Sequence, residues 1–280
     1  KQWYQRRVHG GGSSSFSSFT HSPIAMVSKP LFTLFLSLLF LLLHPSLHFP
    51  SPTTPHSLCH PHDRSSLLRF IQNLHNTSNG NLLSTYPMLA SWNRTDCCDW
   101  DRVGCDKATG HVVTLNLSYS GLVGSINSRS SVFLLVHLRR LDLSSNNFNL
   151  SPIPSMLGRR LRHLTHLSLQ FSNFSGEIPS EVSALSQLVS LDLSSCMFSG
   201  EFPSKIFNLP NLRYLSLYGN PSLTGSFPGF RKGSHLRYLD ISATGFSDNN
   251  FNTWTLPSWL ERLSQLSGLF LDDTNLRECK

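Results

Sequence analysis

Six cysteines, thirteen histidines and a set of asparagine sequons carry the distinctive chemistry of this 280-residue chain. Cys59, Cys97, Cys98 and Cys105 crowd one stretch, whereas Cys196 and Cys279 stand apart. In an oxidising compartment the first four should be disulfide-bonded. Cys97 and Cys98 are neighbours, and a bond between neighbours is strained, so each should pair elsewhere. A short loop Cys98–Cys105 and a long loop Cys59–Cys97 fit best. A metal alternative would use Cys59, His60, His62 and Asp63, but that spacing matches no closed zinc pattern, so no metal and no cofactor is expected. Asn76, Asn93, Asn116, Asn149 and Asn173 each open an Asn-x-Ser/Thr sequon, the acceptor for N-glycans on secreted chains. Serine, histidine and aspartate are abundant, yet there is no Gly-x-Ser-x-Gly elbow, phosphate loop, zinc-helix motif or kinase signature. Several histidines (His44, His48, His56, His60 and His62) cluster near the start. No catalysis is expected.

What must position these groups is a repeat. Leu115, Leu141, Leu167, Leu191, Leu215, Leu239 and Leu269 open equivalent Leu-x-Leu steps, spaced 26, 26, 24, 24, 24 and 30 residues apart. Periods of 20–29 residues with this pattern mark leucine-rich repeats. Side chains alternate across a strand, so Leu141 and Leu143 point inward while Arg140, Asp142 and Ser144 point outward. Seven residues after the first Leu stands a second apolar anchor: Leu122, Phe148, Phe174, Phe198, Phe246 and Leu276, with Leu223 shifted by one. Five residues after it is a turn position, held by Asn146 and Asn220 and elsewhere by Ser120, Ser172, Cys196, Thr244 and Thr274. A buried side chain there can hydrogen-bond the turn, and Cys196 is a poor donor for that task. Cys196 and Cys279 fall three strands apart, roughly 14 Å at ~4.8 Å per strand, so both thiols are expected to be reduced.

Stacked repeats share one core and need a cap at the exposed end. A helix is predicted over 63–74, with Asp63 or Ser65 near its start and Leu67, Leu68, Ile71 and Leu74 on one face; Trp92 and Trp100 add apolar bulk. Before the cap, residues 1–25 read as disordered leader or upstream sequence, and 26–56 as a signal peptide with a Pro-rich spacer. The apolar run Leu31–Leu43 is short for a membrane span and suits a cleaved signal, an uncleaved anchor being the alternative. Residues 57–110 form the cap and 111–280 about six and a half repeats, the last incomplete and expected to fray. The formal charge is +7, but residues 1–58 hold four of the 23 bases and none of the 16 acids, so most of the excess sits in the leader and no nucleic-acid partner is expected. The Arg159, Arg160, Arg162 cluster reads as a solvated convex face.

The stretch Ser91-Trp92-Asn93, then Asp96-Cys97-Cys98-Asp99-Trp100, then Val103-x-Cys105, resembles the N-terminal cap of plant extracellular leucine-rich-repeat receptors. Gly176-Glu177-Ile178-Pro179, Gly200-Glu201-Phe202-Pro203 and Gly225-Ser226-Phe227-Pro228 are similar to the plant-type repeat ending, and Leu191-Asp192-Leu193-Ser194-Ser195 with Gly219-Asn220-Pro221 looks like the receptor-like protein branch. The chain departs from the pattern at Arg102, where the cap normally has glycine, and at Gly104, which stands before Cys105. The resemblance implies an α/β-type leucine-rich-repeat solenoid, right-handed, with a parallel concave β-sheet, a disulfide-stapled helical cap, and a short second sheet with helical turns on the convex side. It implies a glycoprotein of the secretory pathway and plasma membrane that binds a peptide, carbohydrate or protein ligand. Signalling in plant defence or development would run through a co-receptor kinase, with any membrane anchor beyond residue 280. The alternatives are a soluble inhibitor of a cell-wall-degrading enzyme, similar to polygalacturonase inhibitors, and a non-functional truncation.

Outward positions of successive strands form columns about 4.8 Å apart. Arg140, His166, Ser190, Tyr214, Tyr238 and Gly268 make one. Asn116, Asp142, Ser168, Asp192, Ser216, Asp240 and Phe270 make the next, and Gln170, Ser194, Tyr218, Ser242 and Asp272 a third. Tyrosine gives large contact area at low entropy cost. The ligand-facing candidates are therefore Arg140, Asp142, His166, Gln170, Asp192, Tyr214, Tyr218, Tyr238 and Asp240, and a glycan on Asn116 would push a ligand toward later repeats.

Overall fold

The computed structural model describes residues 58–74, 89, 91–92, 94–226, 230–247 and 259–274. All lie in one compact unit, Thr54–Lys280. The leader and signal segments, Asn76, Asn93, Leu276, Cys279 and the expected frayed end lie outside the described residues. No helix among the described residues is long and apolar enough to cross a membrane.

The Leu-x-Leu steps are strands: Val112–Asn116, Arg140–Asp142, His166–Ser168, Ser190–Asp192, Tyr214–Ser216, Tyr238–Asp240 and Gly268–Phe270. They pair in parallel, and the seven leucines of the sequence pattern stand opposite one another from Leu115 to Leu269. One strand had no counterpart in the sequence reading. Val103–Cys105 of the cap joins the sheet antiparallel to Val112–Asn116, across a link too short for the crossover a parallel pair requires. The second anchors from Leu122 to Phe246 are buried behind the sheet, with the rings of Phe148 and Phe174 stacked 4.8 Å apart. The opposite side carries short strands, among them Ser175–Gly176 beside Met197–Phe198, and Asn220–Gly225 between Gly200–Glu201 and Thr244–Phe246. Single helical turns follow, including Ser180–Ala184 and Ser204–Asn208, each entered through the proline of the plant-type ending, Pro179 or Pro203.

Two polar devices repeat with the period. At the turn position, the Asn146 amide donates to the carbonyls of Leu117, Leu143 and Ser144, and its oxygen accepts the Leu122 N–H. Asn220 does the same for Leu193, Leu217, Tyr218 and Phe198. Each asparagine thus pairs buried backbone groups of two consecutive repeats, groups that are costly to leave unpaired. Ser172 reaches back only as a donor, to Leu143, and the buried, free Cys196 donates through sulfur to Leu169. One residue before this position the backbone turns left-handed in all seven repeats, at Tyr119, Ser145, Phe171, Ser195, Gly219, Ala243 and Asp273. That conformation costs a non-glycine residue about 1–2 kcal/mol. The cost is offset by a ladder bond to the next repeat, such as Tyr119 N–H to Ser144 and Phe171 N–H to Ser194.

The cap helix spans Pro61–Asn73, two residues earlier than the sequence prediction. Proline at the first helical position needs no amide partner, so the helix starts there and neither Asp63 nor Ser65 caps it. Its buried face is Leu67, Phe70, Ile71 and Leu74, with Leu68 only partly buried. Disulfides join Cys59 to Cys97 and Cys98 to Cys105, with Cα–Cα distances of 5.4 and 5.6 Å. Asp96 braces the first by accepting the Cys59 and Cys98 amides at 3.0 and 2.9 Å. Trp92 and Trp100 stack at 4.8 Å and are buried. Arg102, where the resemblance leads one to expect glycine, takes the turn at φ 68° and donates its guanidinium to the Ser118 carbonyl. The glycine conformation is therefore retained without the glycine.

Candidate functional site

Toward the C-terminal end of the concave sheet, on its sixth and seventh strands, lies an aromatic stack. Parallel pairing sets Tyr214 opposite Tyr238 and Tyr238 opposite Gly268. The two tyrosine rings lie 4.6 Å apart and 9° from parallel, and Phe270 packs against Tyr238 at 5.2 Å. Gly268 makes the room: a Cβ there would stand 3.0 Å from the Tyr238 ring.

The hydroxyls end on carboxylates. Tyr214 Oη lies 3.5 Å from Asp192 Oδ2, and Tyr238 Oη donates to Asp240 Oδ2 at 3.3 Å. The other oxygen of each aspartate is committed to the backbone: Asp142, Asp192 and Asp240 accept the amides of Ser144, Ser194 and Ser242 at 2.9, 3.1 and 3.0 Å. These aspartates are thus turn-forming residues as well as surface charges. Burial first, and the Asp192 charge second, push the Tyr214 hydroxyl up to about 12, and the same two kinds of cause raise Tyr238. Both tyrosines are neutral donors at physiological pH, presenting a two-ring apolar surface edged by fixed negative charge.

The nine candidates from the sequence do not form one patch. Tyr214, Tyr238, Asp192 and Asp240 come together. Tyr218 lies on the neighbouring column and is exposed. Arg140 and His166 sit three and two strands away from Tyr214, beyond direct contact with it. His166 is half-buried beside Arg140, and burial followed by that charge lowers its pKa. Asp142 and Gln170 remain at that end too. Ser144, Ser194, Ser216 and Ser242, placed on outward positions, are buried. Ser216, for example, stands in register between Asp192 and Asp240, whose longer side chains shield it. Phe270 was not singled out, although its position between Leu269 and Leu271 marked it as outward-facing on the strand after Tyr238.

Of the sequons, Asn116 and Asn149 are exposed, and Asn173 is half-exposed with its amide donating to Asn147. The Asn116 oxygen accepts both the amide and the hydroxyl of Ser118. The hydroxyl of Ser151, the third residue of the Asn149 sequon, is buried and accepts the Ile126 amide.

Residues 60–106 match the leucine-rich-repeat N-terminal domain family, and residues 137–159, 163–185 and 187–209 match leucine-rich-repeat units. Receptor-like protein 9DC1 of Solanum pimpinellifolium is 37% identical over 198 residues, covering 69% of this chain and 22% of that protein. Receptor-like protein 7 of Arabidopsis thaliana is 39% identical over 144 residues, covering 51% and 14%. The chain therefore spans about a fifth or less of the length of these relatives. Among solved structures, Pollen Receptor Kinase 3 aligns with a TM-score of 0.58 at 27% identity, covering 76% of this chain and 95% of that one. The PEPR1-AtPEP1 structure aligns with a TM-score of 0.59 at 27% identity, covering 76% and 32%.

Proposed function

We infer that this chain, a leucine-rich-repeat protein with a plant-type cap whose relatives are plant receptor-like proteins, is the ligand-recognising front of a membrane-anchored receptor at the cell surface. The observation that carries this reading is the Tyr214–Tyr238 stack edged by Asp192 and Asp240. Stacked rings offer an apolar face to a peptide side chain or to the face of a sugar, and the carboxylates accept hydrogen bonds from its polar groups. Rigid aromatic anchors at the centre of a contact surface carry much of the binding energy. The exposed Asn116 at the first repeat would place a glycan away from this stack. Binding here would be relayed by a partner kinase, in defence or development.

The test uses a phage-displayed peptide library and a panel of oligogalacturonides, selected against the full chain. The tightest probe is then measured by calorimetry on Tyr214→Ala/Tyr238→Ala. Expected is at least about a tenfold loss of affinity, since one such anchor contributes more than ~1 kcal/mol. Absence of any enriched probe, or an unchanged affinity in the double variant, would overturn the reading.

A further inference from the structure

The opposite end of the solenoid holds a column of imidazoles. His111, His137 and His163 recur four residues before the first strand leucine of three consecutive repeats. Their rings stack at 4.0 and 6.3 Å, and His60 of the cap continues the column, 4.3 Å from His111. Beside them is Asp63, whose side chain is only 5% exposed.

We propose that the imidazoles of His60 and His111 and the carboxylate of Asp63 form a binding site for a divalent transition-metal ion of the zinc type. Three observations carry it. First, one ligand atom from each of the three residues lies within 4.8 Å of the others. Zinc held at about 2.0–2.2 Å by nitrogen and oxygen sets its ligands roughly 3.4 Å apart. The carboxylate turns one oxygen to each imidazole, Oδ1 to His60 Nδ1 at 4.0 Å and Oδ2 to His111 Nδ1 at 3.1 Å, so an ion held among them would replace the His111–Asp63 hydrogen bond.

Second, His60 Nδ1 is buried and has no hydrogen-bond partner, although its ring edge faces a carboxylate. A buried polar atom left unpaired costs free energy that a metal bond would recover. Third, Asp63 is already oriented. Its Oδ2 accepts the Val112 amide at 2.9 Å and faces His111, while Oδ1 is turned toward His60. Such a bond behind a ligand fixes its direction, as outer contacts do in metal sites.

Two imidazoles and one carboxylate suit zinc, copper(II) or nickel rather than calcium or magnesium, which prefer oxygen alone. Three protein ligands leave a fourth position for water. The spacing of Cys59, His60, His62 and Asp63 matches no closed zinc pattern, and Cys59 is taken by its disulfide; the further ligand would come from His111, distant in sequence. An ion here would tie the start of the cap helix to the first strand of the repeats. Because it binds only the folded arrangement, it would raise thermal stability.

The full chain, freed of metal with a chelator, is titrated with zinc chloride at pH 7.5 by calorimetry, and its melting temperature is followed. Expected are one tight zinc per chain, a higher Tm, and at least tenfold weaker binding in His60→Ala and His111→Gln. His163→Ala, in the column but outside the site, should bind as the wild type does. Cobalt(II) supplies a readout on the unaltered chain, with intense visible bands from a four-coordinate nitrogen and oxygen site. Absence of saturable zinc binding, absence of those cobalt bands, or unaltered zinc affinity in His60→Ala would each overturn the proposal. The last result would place zinc on other histidines.

Discussion

The cap, up to Gly110, and the repeats after it bury the same kinds of apolar side chain but hold them differently. In the repeats the framework contacts recur. A leucine meets the leucine one period on, a turn residue bonds the turn before it, and the left-handed residue returns at the same place. In the cap each contact occurs once. Two disulfides, the Trp92–Trp100 stack and the Asp63 bond to Val112 have no equivalents among the described residues of the repeats. A stacked repeat gains from its neighbours on two sides. Among the described residues the cap packs on the repeats from one side, and its covalent and buried polar links add to that contact.

That contrast is open to direct test. The largest effect should come from the cap. Cys59→Ser/Cys97→Ser opens a loop with sequence separation 38, worth about 4 kcal/mol by chain entropy. Urea unfolding should show the loss first in cap tryptophan fluorescence; a loss shared equally with the last repeats would remove the distinction between the regions. Next is a repeat-to-repeat contact. Gly158 lies on the helical turn Met156–Arg160, and a Cβ there would stand 2.0 Å from the Glu181 carbonyl oxygen of the following turn. Gly158→Ala should therefore destabilise by roughly 3 kcal/mol, the upper range for overpacking. A smaller change in unfolding free energy would mean that adjacent convex turns slide easily.

Cys196→Asn asks whether repeat positions are interchangeable. Asparagine there can complete the pattern seen at Asn146 and Asn220, so a gain of about 1 kcal/mol is expected, one net hydrogen bond. A loss would show that the fourth repeat has adapted to the smaller thiol donor. The smallest effect is electrostatic. Spectrophotometric titration should find the Tyr214 phenolate forming near pH 12, and Asp192→Asn should bring it down toward the ordinary range. The sign follows from linkage. With the folded pKa raised, the neutral ring favours the fold below about pH 10, and that contribution fades as pH climbs from the unfolded value of ~10 toward 12. A phenolate forming near 10 would mean that the ring stack stands open to water.

Much of the repeat region was legible in the residue order. The spacing of Leu115 through Leu269 set which residues pair, because stacking neighbours makes long-range register a matter of counting. The same count placed Tyr214 beside Tyr238 and turned Asp192 and Asp240 to the same face. It did not reveal that Ser216 would be covered, nor that Gly268 would admit the Tyr238 ring, because both depend on side-chain volume at neighbouring positions. In the cap, residue types announced disulfides and a helix, but not where the helix begins. Nor did they announce that His60 and Asp63 meet His111, a partner 48 residues from Asp63. A period carries its geometry in the sequence because each unit repeats the one before. A contact made once, across a distance set by how the chain closes on itself, exists only after folding has brought its members together.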